Sequence, residues 1–188
     1  MPPPSPAEIK KVFSFPAHYQ DDRDAGMIAS SLARYRSLVR EVRAETVIGA
    51  PPAIVWRVLT DFTSYPDWNP FIRSIEGKPW VGTRLSVDIR SPGRRSMRFR
   101  PMVLRVAKDR ELRWIGRVLV AGLFDGEHRF TIIPEGDGSR FVQAEVFTGL
   151  LVPVVDLTST LRATHLGFLL MNQALRGRAE RSIAGKPS

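Results

Sequence analysis

"EHRFTIIPEGDGSRFVQAEVF", Glu127 to Phe147, is the stretch that decides the fold. Two alternating runs flank "EGDG", a strong signal for a tight hairpin turn. With Pro134 and Ser139 flanking the loop, His128 faces Glu145, Phe130 faces Gln143 and Ile132 faces Phe141. This register places Phe130, Ile132, Phe141 and Phe147 on one face, together with His128, Gln143 and Glu145. The other face carries Arg129, Thr131, Arg140, Val142 and Ala144, a set that suits solvent. A slip of one residue would break the agreement between the two strands. Three polar side chains are therefore expected on the inward, apolar face, where buried polar groups need partners.

Working outward, the upstream segments alternate in the same way. "TRLSVDIRS" sets Leu85, Val87 and Ile89 against Arg84, Asp88 and Arg90. "MRFRPMVLRVAKD" and "ELRWIGRVLV" follow, joined at Asp109-Arg110, and Trp114 is expected to point inward. Gly116 in mid-strand leaves space, either as a bulge or as room for a ligand. "VREVRAETVIG" is a further half-buried strand, with Val42, Ala44, Thr46 and Ile48 on one face. "APPAIVWRVLTDF" is a short helix opened by a proline pair, with Trp56 as packing. The next segment, "YPDWNPF" (Tyr65 to Phe71), is too rich in Pro and Asn for the interior of a helix or of a central strand. Asn69 is expected to cap the turn through its side chain. "FIRSIEGKP" reads as a weak strand, and Trp80 falls in a loop or at an edge. From Pro153 to about Arg181 one long amphipathic helix is expected, with Leu157, Leu161, Phe168, Met171 and Leu175 on its apolar face and Thr164 and Asn172 among them.

This order gives the fold class α+β: a curved antiparallel sheet of about six to seven strands wrapped round a long C-terminal helix, with two short helices after strand 1. One helix cannot fill the concavity of such a sheet, so a cavity is expected between them. The domain is expected over residues 38–181. Residues 1–37, beginning "MPPPSPAEIKK", read as an extension, partly disordered or with a short helix at "MIASSLARYRSL", and Met27 offers an alternative start. Residues 182–188 read as a disordered tail.

Order and motifs together resemble the START-like, or SRPBCC, superfamily, nearest its polyketide cyclase/dehydrase-like branch. The block "APPAIVWRVLTDFTSYPDWNPFI" carries the resemblance, supported by "GTRL", "FDGEHRF" and the run from Phe141 to Leu151. It covers about residues 40–180. The resemblance implies the helix-grip fold and an apolar ligand in the cavity. It implies no catalytic motif, since some members are enzymes and many only carry or sense.

The candidate ligand-binding residues are Trp68, Phe71, Trp114, His128, Phe130, Gln143, Glu145, Phe147, Phe168, Met171 and Asn172. Each also has a plainer reading. Trp68 and Phe71 either plug the sheet edge or line the entrance. Met171 and Phe168 suit ordinary core. His128 and Glu145 form a self-satisfied structural pair, a polar anchor for a ligand, or an acid/base pair capable of proton transfer next to a carbonyl. His165 lies on the helix flank as a boundary residue.

Composition narrows the rest. The chain has no cysteine, which excludes disulfides, thiolate metal sites and a Cys nucleophile. Its three histidines are far apart and lack zinc spacing, so neither a metal nor another cofactor is expected. No apolar run approaches the roughly 20 residues that span a bilayer. A cytoplasmic location fits this composition. The net charge of +9 is mostly arginine scattered along strands, with one short cluster at "SPGRRSMRFR" (Ser91 to Arg100). No specific nucleic acid is expected, whereas weak contact with an anionic membrane is compatible with that charge. The expected partner is a small hydrophobic ligand, bound by a monomer or homodimer. Three functions stay open: a binding protein for a lipid, polyketide or aromatic metabolite; a cyclase or dehydratase using His128 and Glu145; or a membrane-surface or interaction module.

Overall fold

A computed structural model describes residues 38–118, 122–156 and 158–184. The N-terminal extension, with the short helix expected in it, and Leu157 of the expected long helix therefore lie outside the described residues. β1 (Val39–Ile48) turns Val42, Ala44 and Ile48 inward. α1 (Pro52–Thr60) follows at once. Pro52 sits in its first turn, where a missing N–H costs no helical hydrogen bond, and Val55, Trp56, Val58 and Leu59 are buried.

The aromatic stretch that follows corrects one expectation. It contains a single helical turn, α2 (Tyr65–Trp68), after a 3-10 turn at Phe62–Ser64. Pro66 is tolerated because it falls in that first turn. The Tyr65 hydroxyl donates to the Leu59 carbonyl at 2.7 Å, pinning α2 to α1. Asn69 caps the exit as expected: its Oδ1 accepts from the amides of Phe71 (3.0 Å) and Ile72 (2.9 Å).

The remaining strands are β2 (Ile72–Glu76), β3 (Ser86–Ile89), β4 (Met97–Phe99), β5 (Met102–Ala107), β6 (Glu111–Val118), β7 (Phe124–Glu135) and β8 (Gly138–Thr148). They form two ladders, β1-β8-β7-β6-β5 and β2-β3-β4. The ladders are continuous in effect. Arg84 bridges Met102 in the same register that sets Val87 opposite Phe99. Leu85 N also donates to Pro101 O, and Val103 N to Thr83 O, each at 2.9 Å. Pro101 has no N–H to give the ladder, which divides one long expected strand into β4 and β5. Bulges between Val103 and Arg105 and between Ile72 and Ser74 bend the sheet.

The hairpin register is the expected one, with His128 opposite Glu145, Phe130 opposite Gln143 and Pro134 opposite Ser139. Gly136 turns the chain at φ 56°, where a Cβ would be strained. Val142 differs from its solvent-facing assignment. It is buried because it lies in a central strand with Thr131 and Glu45 opposite it on either side.

The C-terminal helix is also corrected. It is two helices, α3 (Val152–Asp156) and α4 (Thr160–Ala184). The Thr158 hydroxyl donates to Val155 O (2.6 Å) and accepts from Thr160 N (3.2 Å), side-chain bonds that compete with helix continuation. α4 extends through Ala184, so the first residues of the expected tail are helical. It buries Thr164, Gly167, Phe168, Met171, Asn172, Leu175 and Ala179. Two contacts hold it. Glu180 Oε1 accepts from Gly49 N at 2.9 Å. A Cβ on Gly167 would lie 2.2 Å from the Phe71 ring, so the aromatic stretch packs directly on the helix backbone.

Candidate functional site

Three successive rows of inward side chains cross the sheet. The first holds Leu112, Phe130, Gln143 and Ala44, each opposite the next. The second holds Trp114, His128, Glu145 and Val42. The third holds Gly116, Gly126 and Phe147. The first row is packed solid beneath Phe168 and Met171 of α4, and Phe130 and Gln143 are fully buried. The third row carries two glycines side by side. There the core opens into a cavity of about 540 Å³.

Trp114, His128 and Glu145 line the cavity at the row where packing stops. Phe124 and Phe147 stack beside them with centroids 5.4 Å apart. Val87, Ile89 and Phe99 form the wall contributed by β3 and β4, and Phe71, Thr160 and Thr164 complete it from α4's side. Arg94, Arg95 and Met97, from the β3–β4 hairpin, stand at the mouth.

Burial controls the chemistry of the polar pair. His128 is 1% exposed and ringed by Phe130 (4.4 Å), Phe168 (5.0 Å) and Trp114 (5.4 Å). This apolar shell pushes its pKa down to about 3. Gln143 Nε2 donates to His128 Nε2 at 3.0 Å, so the ring carries its proton on Nδ1. That nitrogen lies 3.6 Å from Glu145 Oε2, too far for a hydrogen bond. Glu145 keeps 17% of its side chain accessible, and it lines the cavity. Loss of water around the carboxyl pushes its pKa up to about 8. Near pH 7 the pair is therefore an uncharged imidazole beside a mostly protonated carboxylic acid. It is neither an ion pair nor self-satisfied. The carboxyl sits over Gly126, where a Cβ would come within 2.6 Å of Oε1. Deeper in, Gln143 Oε1 and both amide atoms of Asn172 have no partner.

The structure thus brings five of the sequence-derived candidates to the cavity: Phe71, Trp114, His128, Glu145 and Phe147. Phe130, Gln143, Phe168, Met171 and Asn172 are buried behind that surface. Trp68 is apart from it, half-buried against Tyr65 at 5.0 Å. His165 is exposed on α4. Sequence reasoning missed Gly126, although it lies two residues before His128 on the same face, and it missed the Val87–Ile89 wall, although the alternation in β3 was visible. Among the described residues no three His, Cys, Asp or Glu side chains cluster as a metal site, and no helix is long and apolar enough to cross a membrane.

Several solved structures share this architecture at low identity. The aromatase/cyclase ZhuI from Streptomyces sp. R1128 matches with a TM-score of 0.62 and 18% identity, covering 79% of this chain and 99% of its own. The protein CV1439 of Chromobacterium violaceum matches with a TM-score of 0.60 and 20% identity, covering 74% and 96%. StfQ, a di-domain aromatase/cyclase of the steffimycin biosynthetic pathway, matches with a TM-score of 0.63 and 12% identity over 85% of this chain, which spans 57% of that longer protein. No curated protein matches the sequence. The family described as polyketide cyclase / dehydrase and lipid transport matches residues 39–169, most of the folded region, and the chain belongs to that family.

Proposed function

We propose that the protein binds one small, largely apolar molecule in the cavity and anchors a polar group of that molecule on Glu145. The observation that carries this reading is the uncharged Glu145 carboxyl, facing a hollow of about 540 Å³ with no hydrogen-bond partner among the described residues. That volume suits a metabolite-sized ligand. A protonated carboxyl can donate to a carbonyl or hydroxyl oxygen, and the surrounding aromatic rings favour a lipid, polyketide or aromatic body. Native mass spectrometry of the purified chain, followed by denaturing extraction, tests it. A retained apolar compound is expected. A filled, ligand-refusing cavity, shown by a clean apo mass and no uptake of an added apolar dye, contradicts it.

A cyclase or dehydratase reading rests on the same carboxyl. An acid titrating near neutrality can give a proton to a carbonyl oxygen and take one back within a cycle. ZhuI and StfQ are named as aromatase/cyclases, which supports asking the question of this fold. Under this reading Glu145→Gln abolishes turnover of an aromatic or polyketide substrate while dye binding persists. Equal turnover in wild type and variant contradicts it.

A further inference from the structure

Arginines on the outer face of the five-stranded ladder and on the β3–β4 hairpin differ in their partners. On the outer face of the sheet they are neutralised: Arg43 by Glu45, Arg113 by Glu111 and Glu127, Arg117 by Asp125, Arg129 by Glu127, and Arg140 by Glu45 and Glu135. The β3–β4 hairpin is different. Arg90, Arg94, Arg95 and Arg98 stand within ten residues, and none forms an ion pair among the described residues, although Asp88 lies opposite Arg98 in the ladder. Arg94 and Arg95 line the cavity mouth. Arg94 donates to Ser159 Oγ at 2.6 Å, which ties the hairpin to the turn between α3 and α4.

That turn leads to an exposed apolar set. Leu150 is 67% exposed, Val154 58% and Met97 49%, and Leu151 is exposed beside them. Leu150 and Leu151 are fixed by backbone bonds from their amides to the carbonyls of Gly122 and Leu123, at the end of the sheet where Phe124 lines the cavity. Apolar side chains and uncompensated guanidinium groups therefore share one rim, and the cavity opens through it. Two acids flank these segments in sequence: Asp156, which ends α3, and Asp88, opposite Arg98 in the β3–β4 ladder.

We propose that this rim docks on an anionic membrane surface. The chemistry fits at both depths. Guanidinium groups pair with lipid phosphates in two-pronged hydrogen bonds, and leucine and valine side chains enter the boundary between headgroups and acyl chains. An apolar ligand would then pass between bilayer and cavity without crossing water. The purpose of the docking rests on the cavity reading, but its test does not.

The test is flotation of the full chain with vesicles of phosphatidylcholine alone and of equal parts phosphatidylcholine and phosphatidylglycerol. Binding to the mixed vesicles, weakened by salt, and little binding to the neutral ones are expected. Arg94→Gln with Arg95→Gln should weaken binding about thirty-fold. Leu150→Glu with Val154→Glu should abolish it. Arg57→Gln with Arg110→Gln, which removes the same charge outside the cavity mouth, should leave it within about two-fold. Circular dichroism checks that each variant is folded. Four outcomes overturn the proposal: no vesicle binding; equal weakening by both arginine pairs, which means diffuse attraction by net charge; loss of binding in Ile28→Glu with Leu32→Glu but not in the rim variants, which moves the contact to the N-terminal segment; or self-association relieved by Leu150→Glu with no vesicle binding, which makes the partner a second copy. Uptake of an apolar dye is read in parallel. Loss of dye uptake with vesicle binding intact breaks the cavity reading alone.

Discussion

The two ends of the β7–β8 hairpin share strands, register and backbone, yet one is solid and the other hollow. At the turn end, Ile132 and Phe141 are buried, Phe130 and Phe141 stack at 6.1 Å, and Ser139 donates to the Ala50 carbonyl at 2.7 Å. At the open end, Gly126 and Gly116 leave out side chains, and the row beside them carries His128 and Glu145 where the solid end carries apolar residues. The cavity is thus made by specific omissions. The helix-grip arrangement provides a concavity, and the side-chain rows decide how much of it stays empty.

The largest expected effect is at the solid end. Phe130→Ala should cost about 3–5 kcal/mol, read by chemical denaturation, because a fully buried ring leaves a void that its neighbours cannot close. Phe147→Ala, whose ring already faces the cavity, should cost about half as much. Equal losses would break the contrast between the two ends.

Titration sharpens the contrast. Glu145 stays protonated in the folded state up to about pH 8, whereas the unfolded chain releases that proton near its ordinary value, around 4.5. Below that value the group has no differential effect. As pH rises towards 8 the unfolded state gains, so Glu145 costs stability progressively. Glu145→Gln should therefore stabilise the protein at pH 8 relative to pH 5, by on the order of 3–5 kcal/mol. His128 acts on the acid side. Its neutral form is favoured by folding, so its contribution is complete above about pH 6.5 and is lost as pH falls towards 3. His128→Gln should flatten that acid limb. Denaturation midpoints across pH read both effects, and parallel curves for wild type and Glu145→Gln would contradict the buried, neutral carboxyl.

Glycines give smaller effects of opposite kinds. Gly167→Ala should destabilise by about 1–3 kcal/mol, since its Cβ would collide with Phe71. Gly116→Ala should be almost silent, because its Cβ would meet only the Gly126 carbonyl, 4.0 Å away. Thermal melts of the two variants distinguish a packed glycine from one that keeps space open. If both behaved alike, the space beside Gly116 would not be empty.

Much of this arrangement was legible in the chain. The "EGDG" turn and the alternation around it set the pairing of His128 with Glu145 and put both on the inner face. Asn69 followed from local turn chemistry, and Trp114 from the phase of its strand. What escaped notice depended on groups distant in sequence or on short-range competition that periodicity does not register. The break at Thr158 is a side-chain hydrogen-bond effect within an otherwise helical pattern. The helical turn at Tyr65–Trp68 is held by the Tyr65 hydroxyl reaching back to α1. The uncharged state of Glu145 depends on burial, and the lack of a bond to His128 depends on a separation that register alone cannot give. Phe130 and Gln143 share the sheet's inward face with the cavity residues, but α4 covers them, and Asn172 is buried on α4 itself. Facing inward is a property of strand phase, whereas facing a cavity depends on what lies opposite.

The central claim is that the space beside Gly116 and Glu145 takes an apolar ligand. Fluorescence titration with an anilinonaphthalene dye, on wild type and on Gly116→Phe, tests it most directly. The account predicts saturable binding at one site in the wild type and its loss in the variant, with the folding transition of the variant preserved. Equal dye binding in both proteins, or none in the wild type, would contradict it.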